Sequence, residues 1–325
     1  MKAVIYTKYG PPEVLQVVDV PIPVPKDDEV LIKVYATTVN RTDTGFRSAE
    51  YFIIRLFFGL TKPKRQILGS ELAGEVVAIG KNVTTFKIGD HVFGLNTDIF
   101  GAHAEYVAVR EKKSITTMPV NATHEEAVAL CDGPWLALNC LKAMKLERGQ
   151  AILINGASGS IGSSGVQLAK HFGAKVTAVC GTKNLELARS LGAERVIDYQ
   201  KEDFTKLPGE YDHIFDAVGK SSFFKCKHLF KPRGTYISTE LGFMSQNPFL
   251  AIWSLAFAKK KVKFPIPRDK KEDIIFFKKL IEAGELKAVI DRRYTLDEIV
   301  EAHRYVESEQ KTGSVVIPVH NLTPV

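Results

Sequence analysis

The stretch that decides the fold is Ile152-Leu153-Ile154-Asn155-Gly156-Ala157-Ser158-Gly159-Ser160-Ile161-Gly162. This apolar run enters a glycine-rich turn, after which a helix is predicted over Ser163 to His171 and a strand over Lys175 to Cys180. A strand, a glycine-rich turn, a helix and a second strand form the βαβ unit that binds a dinucleotide. Because Ala157 replaces the first glycine of the usual fingerprint, the turn alone is only a weak signal of nucleotide binding. The alternative interpretation is that the glycines serve only the packing of the helix on the strand. The two flanking strands favour nucleotide binding.

The turn suits a pyrophosphate for physical reasons. Gly159 lets the backbone approach the phosphates, Gly162 lets the helix pack closely on the strand, and the helix N-terminus offers N–H groups and a positive dipole end. We assign the following residues of the turn to the cofactor site: Ala157, Ser158, Gly159, Ser160, Ile161 and Gly162.

The end of the second strand indicates which dinucleotide is bound. An NAD site usually carries an acid there, which accepts from the ribose 2′-OH. Here Cys180 is followed by Gly181-Thr182-Lys183, and the next acid is Glu186. A carboxylate would repel a 2′-phosphate, whereas a lysine, a hydroxyl and backbone N–H groups would bind it. The alternative for Lys183 is an ordinary solvated lysine. The missing acid and the lysine together predict NADPH.

Length and composition bound the class of protein. A chain of 325 residues with 45% apolar and 25% charged residues is typical of a soluble protein with two domains. A strand-like pattern begins at Met1, so we expect no signal peptide. Four scattered cysteines show no paired spacing, which favours reduced thiols and a cytoplasmic location. The net charge of +7 is interpreted as surface charge around an anionic cofactor, since no nucleic-acid-binding motif is found.

Three zones follow one another along the chain. Residues 1–121 show alternating strand patterns and turns, typical of a barrel-like, mostly antiparallel β domain. Residues 122–267 alternate helices and buried strands of the parallel type. The tail, 268–325, predicts helices at about 270–284 and 296–308 and a strand from Ser314 to Val319.

The chain resembles a known family over essentially its whole length. The motifs that carry the resemblance are Gly69-Ser70-Glu71-Leu72-Ala73-Gly74, Gly101-Ala102-His103-Ala104-Glu105-Tyr106, Ala157 to Gly162, Ser190-Leu191-Gly192-Ala193, Asp216-Ala217-Val218-Gly219 and Lys311-Thr312-Gly313-Ser314-Val315-Val316. They resemble the medium-chain dehydrogenase/reductase superfamily, specifically its zinc-free quinone oxidoreductase branch, which includes zeta-crystallin. The resemblance implies an α/β fold: a doubly wound, Rossmann-type cofactor domain inserted into a GroES-like barrel catalytic domain made of 1–121 and 268–325. It also implies substrate in the cleft and a homodimer joined through the cofactor-domain sheet, with Val262-Lys263-Phe264 as a candidate edge strand.

The zinc question is decided by the residues at the ligand positions of that superfamily. Zinc-dependent members would show Cys where Asn40 stands and His where Ser70 stands, and only Cys131 falls near a third ligand position. A catalytic zinc needs three protein ligands, so we predict no metal site and a packed Cys131 thiol.

A reaction without zinc needs an acceptor that delocalises charge itself, namely a quinone or the C=C bond of an α,β-unsaturated carbonyl. The resemblance places Asn40 at the family's active-site asparagine and Tyr51 at a cleft tyrosine. A further active-site tyrosine of the branch falls on Gly45, which leaves a shared proton donor in doubt. Asn40 is alternatively a turn residue. Asp43 is expected to support the loop rather than to titrate.

The apolar run Tyr51 to Leu60 has three interpretations. As a helix it places Phe52, Leu56 and Gly59 or Leu60 on one buried stripe. Phe52, Phe57 and Phe58 are instead the predicted wall of a pocket for a small hydrophobic carbonyl or quinone substrate. The basic residues Lys62, Lys64 and Arg65, and a second pair of an apolar run (249–258) and a basic run (259–261), suggest peripheral contact with a membrane surface.

The predicted function is an NADPH-dependent, zinc-independent quinone or enone reductase. The resemblance also implies that Tyr199 lies close to the 2′-phosphate or the adenosine ribose, and Val218 and Ser238 are assigned to the same cofactor site. The sequence leaves two alternatives open: a metal-free alcohol or aldehyde oxidoreductase, and a non-catalytic NADPH-binding protein of structural, RNA-associated or membrane-associated type. No nucleic-acid partner is expected.

Overall fold

A computed structural model describes residues 1–242, 245–257 and 259–320. Contacts divide the chain into a first unit, Met1–Asp132 with Asp269–Val325, and a second unit, Gly133–Arg268. The segment 122–132, which the sequence groups with the cofactor domain, packs in the first unit. Its helix α3 (His124–Val128) contacts strands that belong to that unit.

The first unit is mostly antiparallel β structure. Its strands are β1 (Lys2–Ile5), β2 (Gln16–Asp19), β3 (Glu29–Val39), β4 (Glu71–Ile79), β5 (His91–Leu95), β6 (Tyr106–Arg110), β7 (Ile115–Thr117), β14 (Ile290–Arg293) and β15 (Ser314–Pro318). Its helices are α1 (Arg41–Ser48), α2 (Phe52–Phe58), α3, α9 (Lys271–Glu282) and α10 (Ile299–Glu307). The main sheet has the order β14-β15-β3-β4-β5-β7, β6 also pairs with β3, and only the β14–β15 pairing is parallel.

Strand β3 organises this unit. It is 11 residues long, nearly all of them buried, and it pairs with β4, β6 and β15. Val30, Ile32 and Val34 point into a core with Leu72 and Val76 of β4. Because β3 ends at Val39, Asn40 stands where the chain leaves the sheet and α1 begins.

The second unit is a parallel sheet with helices. Its strands are β8 (Ala151–Asn155), β9 (Lys175–Cys180), β10 (Arg195–Asp198), β11 (Tyr211–Asp216), β12 (Phe230–Ser238) and β13 (Lys261–Lys263). Its helices are α4 (Asp132–Met144, which begins at the end of the first unit), α5 (Ser160–His171), α6 (Leu185–Ser190), α7 (Phe223–Cys226) and α8 (Gln246–Phe257). The order is β10-β9-β8-β11-β12-β13 and every pairing is parallel. In chain order this is 3-2-1-4-5-6, the doubly wound arrangement, so the predicted fold is confirmed.

The start of α5 differs from the sequence prediction, and the bounds of α6 and β12 also have local causes. Helix α5 begins three residues earlier than predicted, because Gly159 takes the extended N-cap conformation (φ −74°, ψ 170°). Helix α6 ends at Ser190, two residues before Gly192, whose φ of +113° reverses the chain. Strand β12 begins at Phe230, which pairs with Tyr211.

Two sequence expectations concern the whole chain. All four cysteines are free and buried. Among the residues described, no helix has the length and apolar character needed to cross a lipid bilayer.

Candidate active site and cofactor site

The glycine-rich turn of the second unit is shaped by close packing. Gly162 permits no side chain, because a Cβ there would lie 2.1 Å from the carbonyl oxygen of Gly156. At Gly156, with φ of +79°, a Cβ would meet Val218 at 2.3 Å. Val218 therefore packs directly against the turn.

Gly159 is different, because the space beside it is open. A Cβ at Gly159 would meet only the Gly156 oxygen, at 3.7 Å, so the missing side chain leaves room for a ligand against the backbone. The first N–H groups of α5 have no acceptor within the helix, and the helix dipole adds positive potential there. The open space beside Gly159 and the N–H donors at the N-terminus of α5 together fit a pyrophosphate.

The turn lies at the edge of the sheet where dinucleotides bind. Strands β8 and β11 are neighbours at which the strand order reverses, and ligands bind at the carboxyl ends of strands at such a point. Asp216, fully buried at the end of β11, accepts hydrogen bonds from Asn155 Nδ2 (3.0 Å) and the Ser221 N–H (2.8 Å). Ser238 is paired with Asp216 in register at the same edge. These bonds fix the loop that carries Val218.

Of the residues predicted to bind the 2′-phosphate, Gly181 and Tyr199 lie side by side, whereas Thr182 is bonded to other protein groups. The Tyr199 hydroxyl lies 3.4 Å from the position of a Cβ on Gly181, and the ring is 59% exposed. Lys183 is exposed in the short helical turn that begins at Thr182. The Thr182 hydroxyl, however, donates to Asp198 Oδ2 (2.6 Å), and its N–H donates to Gln200 Oε1 (3.0 Å).

Asp198 is a carboxylate that the sequence reasoning missed at this site. It comes from the third strand, β10, and not from the strand end at which an NAD-type acid is expected. The side chain is buried, and its second oxygen accepts from the Gln200 N–H (3.0 Å). The carboxylate is therefore held by protein groups.

In the first unit, Asn40 is the N-cap of α1. Its Oδ1 accepts from the Asp43 N–H (3.0 Å), and Asp43 Oδ2 accepts from the Asn40 N–H (3.1 Å), which forms a capping box. Asp43 Oδ1 also accepts from the Gly69 N–H (3.0 Å). Burial raises the pKa of the Asp43 carboxyl, and His103 opposes the shift. Asp43 thus joins the Asn40 loop to the segment before β4.

The amide group of Asn40 faces a buried polar cluster. Its Nδ2 donates to Ser70 Oγ (3.0 Å) and to Glu71 Oε1 (2.9 Å), so both amide hydrogens are engaged. The Thr38 hydroxyl donates to the same Glu71 oxygen, and Glu71 Oε2 accepts from the Asp132 N–H (2.9 Å). Glu71, 3% exposed, therefore ties together the end of β3, the start of β4 and the start of α4.

This cluster holds more carboxyl groups than cations. Burial raises the pKa of Glu71 to about 7, against the hydrogen bonds that it accepts. Burial is the main cause that raises the pKa of Asp132 well above its usual range, and the negative charge of Glu71 is the next largest. Burial lowers the pKa of Lys311. The negative charges of Asp132 and Glu71 oppose this shift. Burial with so few cations therefore favours the protonated forms of both carboxyl groups.

Glu71, Asp132 and Lys311 are site residues that the sequence patterns did not identify. Glu71 and Asp132 are 61 positions apart, and only the fold brings them together. The available signal was local: Glu71 is a charged residue at the start of a strand that is mostly apolar.

The aromatic residues of α2 do not form one wall. Phe58 faces inward, with its ring 4.5 Å from that of Phe46 and 6.5 Å from that of Phe100, while Phe52 and Phe57 are 66% and 70% exposed. The expected buried stripe is wrong, since Phe52, Leu56 and Leu60 are all more than half exposed. Tyr51, half-buried, is the N-cap residue of α2.

Comparison with known proteins agrees with this architecture. Residues 26–120 match the family described as alcohol dehydrogenase GroES-like domain, and residues 191–317 match the family described as zinc-binding dehydrogenase. The chain is 35% identical to a 2-methylene-furan-3-one reductase of Solanum lycopersicum, over 98% of this chain and 79% of that protein. It is 33% identical to an NADPH-dependent alkenal/one oxidoreductase, chloroplastic, of Arabidopsis thaliana, with the same coverage.

A solved structure shows the same fold. The quinone oxidoreductase from Coxiella burnetii superposes with a TM-score of 0.87 at 28% identity, over 98% of this chain and 99% of that one. The chain therefore belongs to the medium-chain dehydrogenase/reductase superfamily, among the quinone oxidoreductases and enone reductases.

Proposed function

We propose that this protein is an NADPH-dependent reductase of quinones or α,β-unsaturated carbonyl compounds that works without zinc. The observation that carries the proposal is the direct hydrogen bond from Asn40 Nδ2 to Ser70 Oγ, between two positions that hold metal ligands in zinc-dependent members. An amide nitrogen that donates its hydrogens has no lone pair for a metal. Such a site suits a substrate that stabilises its own developing charge.

The cofactor preference rests on the second unit. Residues 157–162 would hold the pyrophosphate, and Lys183 with Tyr199 would contact the 2′-phosphate. Because Asp198 and Gln200 already engage Thr182, the charge on Lys183 is the main attraction for that phosphate. Bound NADPH supplies the hydride that the β-carbon of an enone, or a quinone, accepts.

The chain's own contribution to the reaction is hydrogen bonding at the substrate oxygen. Asn40 Nδ2 would donate to that oxygen with the hydrogen that it now donates to Ser70. Its other amide hydrogen stays bonded to Glu71. A donor of this kind stabilises charge that develops during reduction, so it acts on turnover more than on binding. Proton supply from solvent or Tyr51 completes the reduction.

The test is NADPH oxidation with short and long enones, quinones and aldehydes, and NADP⁺ reduction with saturated alcohols. We expect enones or quinones to be the best substrates, with longer alkyl chains favoured by up to ~0.8 kcal/mol per buried CH₂. Higher turnover of saturated alcohols than of every enone and quinone would refute the proposal.

Two variants separate the roles of Asn40. Asn40→Ser keeps an N-cap acceptor but removes the amide donor, whereas Asn40→Ala removes both. We expect both variants to lose turnover by roughly 10²-fold while NADPH affinity changes little. Full turnover in Asn40→Ser would show that Asn40 serves only as a cap.

We also propose a cytoplasmic homodimer. The four buried thiols support a reducing compartment, and β13 lies at the end of the described sheet, where a partner strand would pair. Light scattering of the purified protein tests this: the mass of a monomer would contradict the dimer.

A further inference from the structure

A second buried polar cluster lies in the first unit, centred on Arg47. This arginine is 1% exposed and is the largest of the completely buried side chains. Its Nη2 donates to the Glu307 carboxylate on α10, which balances its charge. Its Nε and Nη1 have no hydrogen-bond partner within the described part of the chain.

Two buried histidines share this environment. The rings of His103 and His303 lie 5.9 Å apart, centre to centre, at 87°, and both are 0% exposed. His103 Nε2 donates to the Thr38 carbonyl oxygen (2.8 Å). His103 Nδ1 and both ring nitrogens of His303 have no partner among the described residues.

The unmatched atoms include both donors and acceptors. Burial, with His103 and Arg47 acting in the same direction, holds the pKa of His303 well below its usual range, so its ring is neutral. A neutral ring offers one N–H and one lone pair. Arg47 adds N–H groups at Nε and Nη1, and His103 adds its unmatched Nδ1. Buried polar groups in folded proteins are almost always satisfied, by protein or by ordered water.

We propose that Arg47, His303 and His103 enclose bound water that bridges them. Water both donates and accepts, so it can serve the N–H groups of Arg47 and the lone pair of His303. An anion only accepts, and would leave the lone pair of His303 unmatched. Arg47 already has Glu307 as its counter-ion, so no second negative charge is needed.

The water site joins α10 to α1. Arg47 lies on α1, the helix capped by Asn40, and His303 lies on α10, while His103 approaches Asp43 at 3.8 Å (Nε2 to Oδ2). The bridge therefore ties the helix that begins at Asn40 to the C-terminal helix of the same unit. It does not depend on the proposed activity.

A high-resolution crystal structure of the wild-type protein tests the site directly. We expect at least one ordered water within hydrogen-bond distance of two of the three side chains. Direct hydrogen bonds among the three side chains with no water, or a chloride identified by anomalous scattering, would overturn the proposal.

Oxygen-17 magnetic relaxation dispersion provides a second measurement in solution, because it counts water molecules with long residence times. His303→Phe fills the space and removes two polar atoms, so the count should fall by at least one. His228→Phe, at an exposed histidine, is the matched control and should leave it unchanged. An equal count in wild type and a folded His303→Phe would contradict bound water; should that variant not fold, the wild-type crystal structure decides alone.

Discussion

Replacing Glu71 by glutamine should change how stability depends on pH. In the folded protein burial raises the pKa of Glu71 to about 7, from 4.5 in the unfolded chain. Between these values the folded state binds more protons than the unfolded state, so the stabilising contribution is complete below about pH 4.5 and is lost as pH rises through 7. The difference corresponds to about 3 kcal/mol in the free energy of unfolding.

Glutamine at position 71 removes this titration, but it also removes one of the hydrogen-bond acceptors of the carboxylate. The carboxylate accepts from Asn40 Nδ2, the Thr38 hydroxyl and the Asp132 N–H, whereas a glutamine amide has a single acceptor oxygen. In either orientation one N–H group is left without an acceptor, which destabilises the fold by about 1–3 kcal/mol. The variant should therefore be less stable than wild type at pH 4.5, and the difference should close or reverse by pH 7.5.

The assay is urea-induced unfolding at half-unit steps from pH 4.5 to 7.5. Glu186→Gln, at a side chain that is 89% exposed, is the control for loss of one carboxylate. A difference between wild type and Glu71→Gln that stays constant over this range would refute the reasoning, because it would mean that Glu71 keeps one protonation state throughout.

Three other predictions follow from the site and its surroundings. Lys183→Ala should weaken NADPH binding ten- to a hundredfold, about 1.5–3 kcal/mol, and leave NADH binding nearly unchanged; titration beside a Lys227→Ala control decides it, and equal loss for both cofactors would contradict it. Phe58→Ala should lower the free energy of unfolding by about 2 kcal/mol, whereas Phe57→Ala should change it by less than about 0.5 kcal/mol; a similar loss in both would mean that Phe57 is packed as well. Protein purified without added metal should contain far less than one zinc per chain, and chelators should leave turnover unchanged; a stoichiometric metal whose removal abolishes activity would contradict zinc independence.

The second unit was predictable from sequence because its signals are local. The apolar run of β8 and the glycines between β8 and α5 lie within short windows, and β8 is buried on both faces. Strands of such parallel sheets are often continuous apolar runs, so the positions of the strands follow from the sequence pattern, while the doubly wound arrangement was implied by the family resemblance.

The direction of the α2 aromatics was harder to predict. Periodicity placed Phe52 and Leu56 on one face, but it could not tell which face meets the core. Phe58 turns inward because Phe46 of α1 and Phe100, more than forty positions further on, provide the apolar surface there. Such a contact depends on tertiary packing, which the spacing of residues within one helix does not report.

The geometry at Asn40 and Ser70 bears both on zinc binding and on the kind of substrate that the site favours. Two ligand atoms about 2.1 Å from a tetrahedral ion lie roughly 3.4 Å apart, with their lone pairs directed at the ion. Asn40 Nδ2 and Ser70 Oγ are 3.0 Å apart with a hydrogen between them, and the second amide hydrogen points to Glu71. The hydrogens of the Asn40 amide therefore lie in the directions from which lone pairs would have to meet a cation. A carbonyl or quinone oxygen, which accepts hydrogen bonds and gains negative charge during reduction, is the partner that such an arrangement favours.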